Sequence, residues 1–459
     1  MITTAAASGA IVPMQPAAPV PLSQRIGLFF LLILLFFNYS RIFDFQWSGL
    51  AIPRVTFFLT LSAAVFAGGW GRVFSSPVGR YLTAFTLWLA LSVPFSFWQG
   101  GSYRLLVNKW LKSFLCFVLI LCLVRTLDQC RKAIYVIALS VLALTVMCLV
   151  LGRTTAGGRL ALEQGALENP NDLAHTLLTG LPFLWLLALH RSGGLTRRLL
   201  LGACMIPVLV ATATTGSRGA MVAAAAMISV ALLKSRFAGK MKMLISAGLA
   251  FGLLIQFLPD TLKLRYGTLF RDQSEHNEEK VVGQAEGSME QRKRLLKHSI
   301  ELTFRNPVFG VGPGVFMPAA AADSEAKGQR PGWQETHNTY TQVSAEAGLP
   351  ALFFYLGALL YCLRQLAAIH KASQPHPELA EIKNIAFCLL LSLVGFAVDG
   401  CFFSIAYSRY FPTLAGLSMA FIFCAREKLS ARGLNPALPA RRGASPSAAR
   451  PARSSLLPA

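Results

Sequence analysis

Trp333-Gln-Glu-Thr-His337-Asn338-Thr-Tyr340 runs on through Thr341-Gln-Val-Ser-Ala-Glu346-Ala-Gly348-Leu-Pro350 into Ala351-Leu-Phe-Phe-Tyr-Leu-Gly-Ala-Leu-Leu-Tyr-Cys-Leu363. Polar chain becomes apolar chain within a few residues. The polar side closes the one long polar segment of the sequence, residues 259–348. The apolar side is one of a series of runs of roughly 18–20 residues, the length a helix needs to cross a bilayer. His337 therefore stands where a large extramembrane loop returns to the membrane, and polar chemistry, scarce elsewhere, is concentrated there.

The series decides the fold class, an all-α polytopic membrane protein. About twelve transmembrane helices are expected, near residues 26–37, 50–70, 81–98, 105–124, 133–151, 173–189, 199–214, 220–233, 241–258, 349–363, 385–398 and 410–424. The fourth is interrupted by Asn108, Lys109 and Lys112 and is open to being an interfacial helix. Composition agrees: 14% of residues are charged, against about 25% in soluble domains. The organisation expected is a disordered cytoplasmic tail (1–24), nine spans (25–258), a large periplasmic loop containing helices (259–348), three spans (349–425) and a disordered basic cytoplasmic tail (426–459).

The net charge of +22 follows the loops. With the N-terminus inside, short inner loops and the C-terminal tail hold most of the Lys and Arg, and short outer loops hold one or two each, as the positive-inside bias requires. Nucleic acid is not implied. The nine cysteines fall mostly inside apolar runs, with none in the long loop and no metal-ligand spacing, so they read as small buried residues. No phosphate-binding Gly-x-x-x-x-Gly-Lys loop occurs. No outward Asp-x-Asp pair offers a metal clamp, and no chain of charges crosses the spans as ion-coupled transport requires.

Within the long loop, Ser288-Met-Glu-Gln291 fits a capping box opening a basic helix that runs to about Phe304, before Pro307. Arg292 and Arg294 lie on it. They either bind the membrane surface or aim one guanidinium at a phosphate; Arg292, near the helix start, is the first choice. Asn306-Pro-Val-Phe-Gly310-Val-Gly312-Pro-Gly314 turns the chain sharply, and residues 319–332 read as mobile. Arg218 sits in the short turn Thr214-Thr-Gly-Ser-Arg218-Gly219. It either snorkels to lipid phosphate or, beside two glycines and a helix start, holds an anion. His337 either anchors the returning helix or serves as a base; if the helix begins at Thr336, it shares a face with Thr341 and Ser344. Asn169-Pro-Asn171-Asp172 caps the sixth span, flanked by Arg159 and His175.

Taken in order, these residues resemble the O-antigen ligase and polymerase superfamily: Asn169-Pro-Asn171, Thr215-Gly-Ser-Arg218-Gly219, Arg292 ahead of the glycine turn, then His337-Asn338 with Glu346 and Gly348 following. The resemblance implies a metal-independent glycosyltransferase of the bacterial inner membrane, needing no cofactor. Its donor would be a glycan on undecaprenyl diphosphate at the periplasmic face, and its acceptor a sugar hydroxyl of lipid A-core (a ligase), another lipid-linked repeat (a polymerase), or protein in a related branch. It further implies His337 as general base and Arg218 and Arg292 as diphosphate ligands. Asn338, Glu346, Arg159, Asn169 and Asn171 would be supporting residues. A flippase or exporter of lipid-linked sugars is the alternative of another class.

Overall fold

The computed structural model describes residues 21–44, 51–155, 157–163, 165–189, 194–235, 258–267 and 280–434, with isolated positions between 240 and 256. It is built almost wholly of helices: α1 (Leu22–Ser40), α2 (Ile52–Ala67), α3 (Pro77–Ser92), α4 (Gln99–Leu123), α5 (Leu127–Leu151), α6 (Pro170–Ala188), α7 (Leu195–Thr214), α8 (Arg218–Lys234), α9 (Asp260–Gly267), α10 (Lys280–Arg305), α11 (Phe316–Ala326), α12 (Thr339–Ser373), α13 (Ala380–Asp399) and α14 (Tyr410–Ser430). Among the described residues the one sheet is a two-stranded antiparallel pair, Arg153–Thr154 with Leu160–Ala161. Among the described residues, seven helices are long and apolar enough to cross a membrane by length and composition. Every expected span meets a helix except the ninth, 241–258, most of which lies outside the described residues, as do residues 1–20 of the N-terminal tail and 435–459 of the C-terminal tail.

The helices carry large apolar side chains outward as well as inward. Phe58, Phe66, Leu87, Val150, Ile206 and Phe353 are all more than half exposed, as suits a surface solvated by acyl chains rather than water. Inside, α12 packs on α13 and α3, α13 on α6 and α8, α1 on α2 and α5, and α14 on α4.

One sequence expectation is sharpened here and two are corrected. The fourth span is one continuous helix. Its polar interruption falls in and just after a π-helical turn, Leu106–Trp110, which leaves Asn108, Lys109 and Lys112 exposed and Trp110 buried, its indole N–H donating to Thr86. A single widened turn absorbs the polar residues without ending the helix. In the long loop, α10 begins at Lys280, so Ser288 is interior to the helix and Arg292 lies near its middle. Gln284, Ala285 and Glu286 favour helix and extend it backwards past the apparent cap. Residues 316–326, partly within the stretch read as mobile, form α11, whose alanines Ala319 and Ala320 pack against Leu302 and Ala345.

The loop is locked to the bundle at a break in α12. Gly348 has φ 82°, outside helical space. The turn at 307–314 replaces the hydrogen bonds lost there: Leu349 N–H donates to Pro307 O (2.8 Å), Val311 N–H to Ala345 O (2.8 Å) and Gly312 N–H to Glu346 O (2.9 Å). Only glycine suits Gly348, since a Cβ would stand 1.9 Å from Val308 O and positive φ already disfavours one. The buried Glu346 carboxylate accepts from Gly314 N–H (2.8 Å) and Phe316 N–H (3.3 Å). The carboxylate thus satisfies the turn's own buried donors and fixes the glycine turn and the start of α11 against α12.

Candidate active site

Asn338 caps α12. Its Oδ1 accepts from Tyr340 N–H (2.9 Å) and Thr341 N–H (3.1 Å), while its Nδ2 donates to Cys401 O (3.1 Å). The next residues are laced to the same α13–α14 connection: Thr339 N–H donates to Gly400 O (2.7 Å), Thr339 Oγ1 to Phe403 O (2.6 Å), and Tyr340 OH to Ala397 O (2.7 Å). His337 precedes the cap and takes φ 50°, a left-handed conformation uncommon for a non-glycine residue. The expectation that His337 shares a helical face with Thr341 and Ser344 is therefore corrected, because the helix starts two residues later. The bracing on its C-terminal side holds a backbone state that costs energy alone, a pattern that recurs at functional sites.

Before His337 lies a cavity of ≈ 210 Å³ into which three separate parts of the chain converge. Arg218 and Gly219 come from α8, Arg292 and Lys293 from α10, and His337 and Asn338 from the start of α12, with Cys401 and Phe402 closing it. Arg294 is not among the lining residues. The imidazole Nδ1 is buried with no hydrogen-bond partner among the described residues. Burial, and then the Arg292 guanidinium, push the ring from its ordinary 6.5 down to about 4.

Arg218 opens α8. Gly216 (φ 62°) makes the turn and Ser217 caps the helix through Ala220 N–H (3.4 Å). Two arginines from elsewhere clamp this turn. Arg159 Nε donates to Thr215 O (2.7 Å) and its Nη2 to Asn171 Oδ1 (2.8 Å); Arg265 Nε donates to Gly216 O (3.0 Å). Tyr266 OH adds a bond to Ala213 O (2.7 Å). Both arginine stems pack on Gly216, where a Cβ would come within 3.3 Å of each. Asn169 sits one step back, capping α6 through Asn171 N–H (2.9 Å).

Four guanidiniums therefore gather around one end of the bundle. Burial, then Arg265, with Arg292 and Arg218 contributing, brings Arg159 down to about 10. Burial and Arg265 also lower Arg292, with Asp399 opposing. Asp399, the last residue of α13, is held by the fully buried His175 of α6 (Nδ1–Oδ2, 2.7 Å), and its Oδ1 lies 3.1 Å from where a Cβ on Gly219 would be. Packing cations this closely opposes their charged forms, and such an arrangement suits an anionic guest. Among the described residues no group of three His, Cys, Asp or Glu side chains comes together as a metal-ligand set.

Sequence reasoning names His337, Arg218, Arg292, Asn338, Glu346, Arg159, Asn169 and Asn171. The structure brings the first four to the cavity, sets Arg159 and Asn171 behind the arginine turn, and places Glu346 and Asn169 further back as backbone anchors. It adds Arg265 and Asp399. Arg265 has no motif around it. Asp399 did have a signal: a carboxylate ending an apolar span.

Residues 203–356 match the O-antigen ligase family. The matched stretch includes Arg218, Arg265, Arg292, the glycine turn, His337 and the break at Gly348, whereas Arg159, His175 and Asp399 lie outside it. A search of curated proteins gives no match. Over residues 203–356 the chain is similar to the O-antigen ligase family, and its apolar helices make it an integral membrane protein.

Proposed function

We propose that the chain is an inner-membrane glycosyltransferase of the ligase type, passing a glycan from undecaprenyl diphosphate to a sugar hydroxyl of lipid A-core on the periplasmic face. The observation that carries this reading is the convergence of His337, Arg218 and Arg292 on one cavity at the end of the helix bundle. The charge asymmetry of the short loops supports the outward orientation, since Arg198, Lys234 and Lys383 belong to loops or helix ends away from the cavity.

The chemistry asks for two things. A diphosphate leaving group builds negative charge as the anomeric C–O bond breaks, and fixed guanidiniums stabilise that charge without reorganising. Arg218 and Arg292 take this role, Arg218 held in place by the clamps from Arg159 and Arg265 on its turn. The acceptor hydroxyl must lose its proton as its oxygen bonds the anomeric carbon. The His337 imidazole receives that proton, and the lipid diphosphate departs with the electron pair of the broken bond. This single displacement inverts the anomeric configuration. An imidazole held down by burial and Arg292 is a weak base; a diphosphate seated against Arg292 offsets the cation and raises its basicity. The base is thereby strengthened when donor is bound.

Purified protein in lipid, given undecaprenyl diphosphate glycan and lipid A-core, is expected to release undecaprenyl diphosphate and form glycosylated core. Joining of two donor glycans without core would assign it as a polymerase instead. Movement of the donor across the bilayer without diphosphate release would overturn the enzyme reading.

A further inference from the structure

A second cavity, ≈ 440 Å³, lies at the other end of the same helices. Arg131 near the start of α5, Arg198 of α7, and Glu381, Lys383 and Asn384 at the start of α13 supply its polar wall. Leu186, Leu189 and Ile385 supply an apolar wall. The His337 cavity sits by the first turns of α6 and the last residue of α13; this one sits by the last residues of α6 and the first of α13. At about 1.5 Å per residue the length of α6 separates them by roughly a bilayer's hydrocarbon thickness. The two cavities therefore open at opposite membrane faces, and the loop charges assign this one to the cytoplasmic side.

Its charges do not cancel. Arg131 pairs with Glu381 (2.7 Å) and with Asp128, fixing the first turn of α13 against α5. Arg198 and Lys383 have no carboxylate partner among the described residues. Around Arg198, α7 turns Leu195, Leu199 and Leu200 outward, each more than 60% exposed, and Leu189 is itself partly exposed. The cavity thus offers two cations at headgroup depth, an amide, and an apolar flank continuous with the lipid-facing surface.

We infer that this cavity binds the phosphate of an anionic glycerophospholipid of the cytoplasmic leaflet, its acyl chains lying along Leu186, Leu189 and α7. A free phosphate would meet the cations and leave the apolar flank unused. Basic pockets between transmembrane helices on this side of a membrane recognise such headgroups. The bound lipid would bridge α5, α6, α7 and α13, two of which carry the His175–Asp399 pair at their far ends.

The test uses the full-length protein, delipidated in detergent and supplied with phosphatidylglycerol, phosphatidylcholine or inorganic phosphate. Lipid retention is read by native mass spectrometry and Tm by thermal unfolding. Phosphatidylglycerol is expected to be retained and to raise Tm, phosphatidylcholine and phosphate to do neither. Arg198→Gln and Lys383→Gln should each weaken retention roughly fivefold, and the double variant should abolish the Tm gain while transferring glycan in detergent at the wild-type rate. Should the double variant fail to fold, Leu189→Trp, which narrows the apolar flank with both cations intact, is expected to weaken retention. Equal stabilisation by phosphatidylcholine, full reproduction of the shift by phosphate alone, or undiminished phosphatidylglycerol retention in the folded double variant or in Leu189→Trp would overturn the proposal.

Discussion

Replacing Arg292 by Gln should move the acid limb of the pH–rate profile upward, and the direction follows from the cavity. His337 is lowered from 6.5 to about 4, first by burial and second by Arg292. A lowered imidazole keeps its neutral, proton-accepting form to lower pH. At pH 5.5 an ordinary imidazole would be only about a tenth neutral, whereas His337 in the free enzyme stays almost wholly so. The acid limb of kcat/KM, which reports the free enzyme, should therefore lie well below pH 6. The Arg292→Gln change removes the second cause and leaves the first, so the limb shifts part of the way towards 6.5. Donor phosphates oppose the same cation, so the limb of kcat, which reports the complex, should lie above that of kcat/KM even in the wild type. A diphosphate esterified at both ends does not titrate near neutrality. Glu335, whose carboxyl burial raises, is the neighbouring group that could mimic the effect, so the profile is repeated in Glu335→Gln. A wild-type kcat/KM limb near 6.5, or one unmoved by Arg292→Gln, would refute the reasoning.

Arg265→Gln removes the Nε bond to Gly216 O and one cation, and should weaken donor binding about tenfold or more, since a bond from a charged donor is worth about 1.5–3 kcal/mol; direct donor titration checks it. Glu346→Gln keeps one acceptor where two backbone N–H groups need satisfying, and is expected to cost about 1–3 kcal/mol, read as a lower Tm with transfer reduced through a misplaced glycine turn. Cys401 is exposed and lines the cavity; a membrane-impermeant maleimide should label it from the outer face and block transfer, and bound donor should protect it. Because burial and then Asp399 raise its thiol, labelling should accelerate as pH rises.

Much of the architecture is legible in hydropathy alone, because a bilayer leaves the chain few alternatives: a run such as 133–151 has to be helical. The errors have local causes. Ser288 matches a cap pattern, yet the residues before it also favour helix, and nothing in four residues tells which wins. Asn108 and Lys109 look like a break because a π turn has no sequence signature. His337 reads as helical because the cap is Asn338, one residue later. The site divides similarly. Arg218, Arg292 and His337 stand out because cations and imidazole are rare beside apolar runs, and their order matches a family. Arg265 becomes visible only when folding carries α9 under the Gly216 turn, whereas Asp399 is legible as a carboxylate ending an apolar span, and the fold adds that it lies beside Gly219.

The central claim is that one imidazole and a pair of arginines divide the chemistry. Single-turnover release of undecaprenyl diphosphate, measured beside donor binding, tests it most directly. His337→Ala is expected to bind donor normally and release diphosphate about 10²–10⁴-fold more slowly. Arg292→Ala should lose both binding and rate, and Arg218→Lys should be severely slowed, because an ammonium cannot reproduce the guanidinium fork. Near-normal release by His337→Ala would contradict the account.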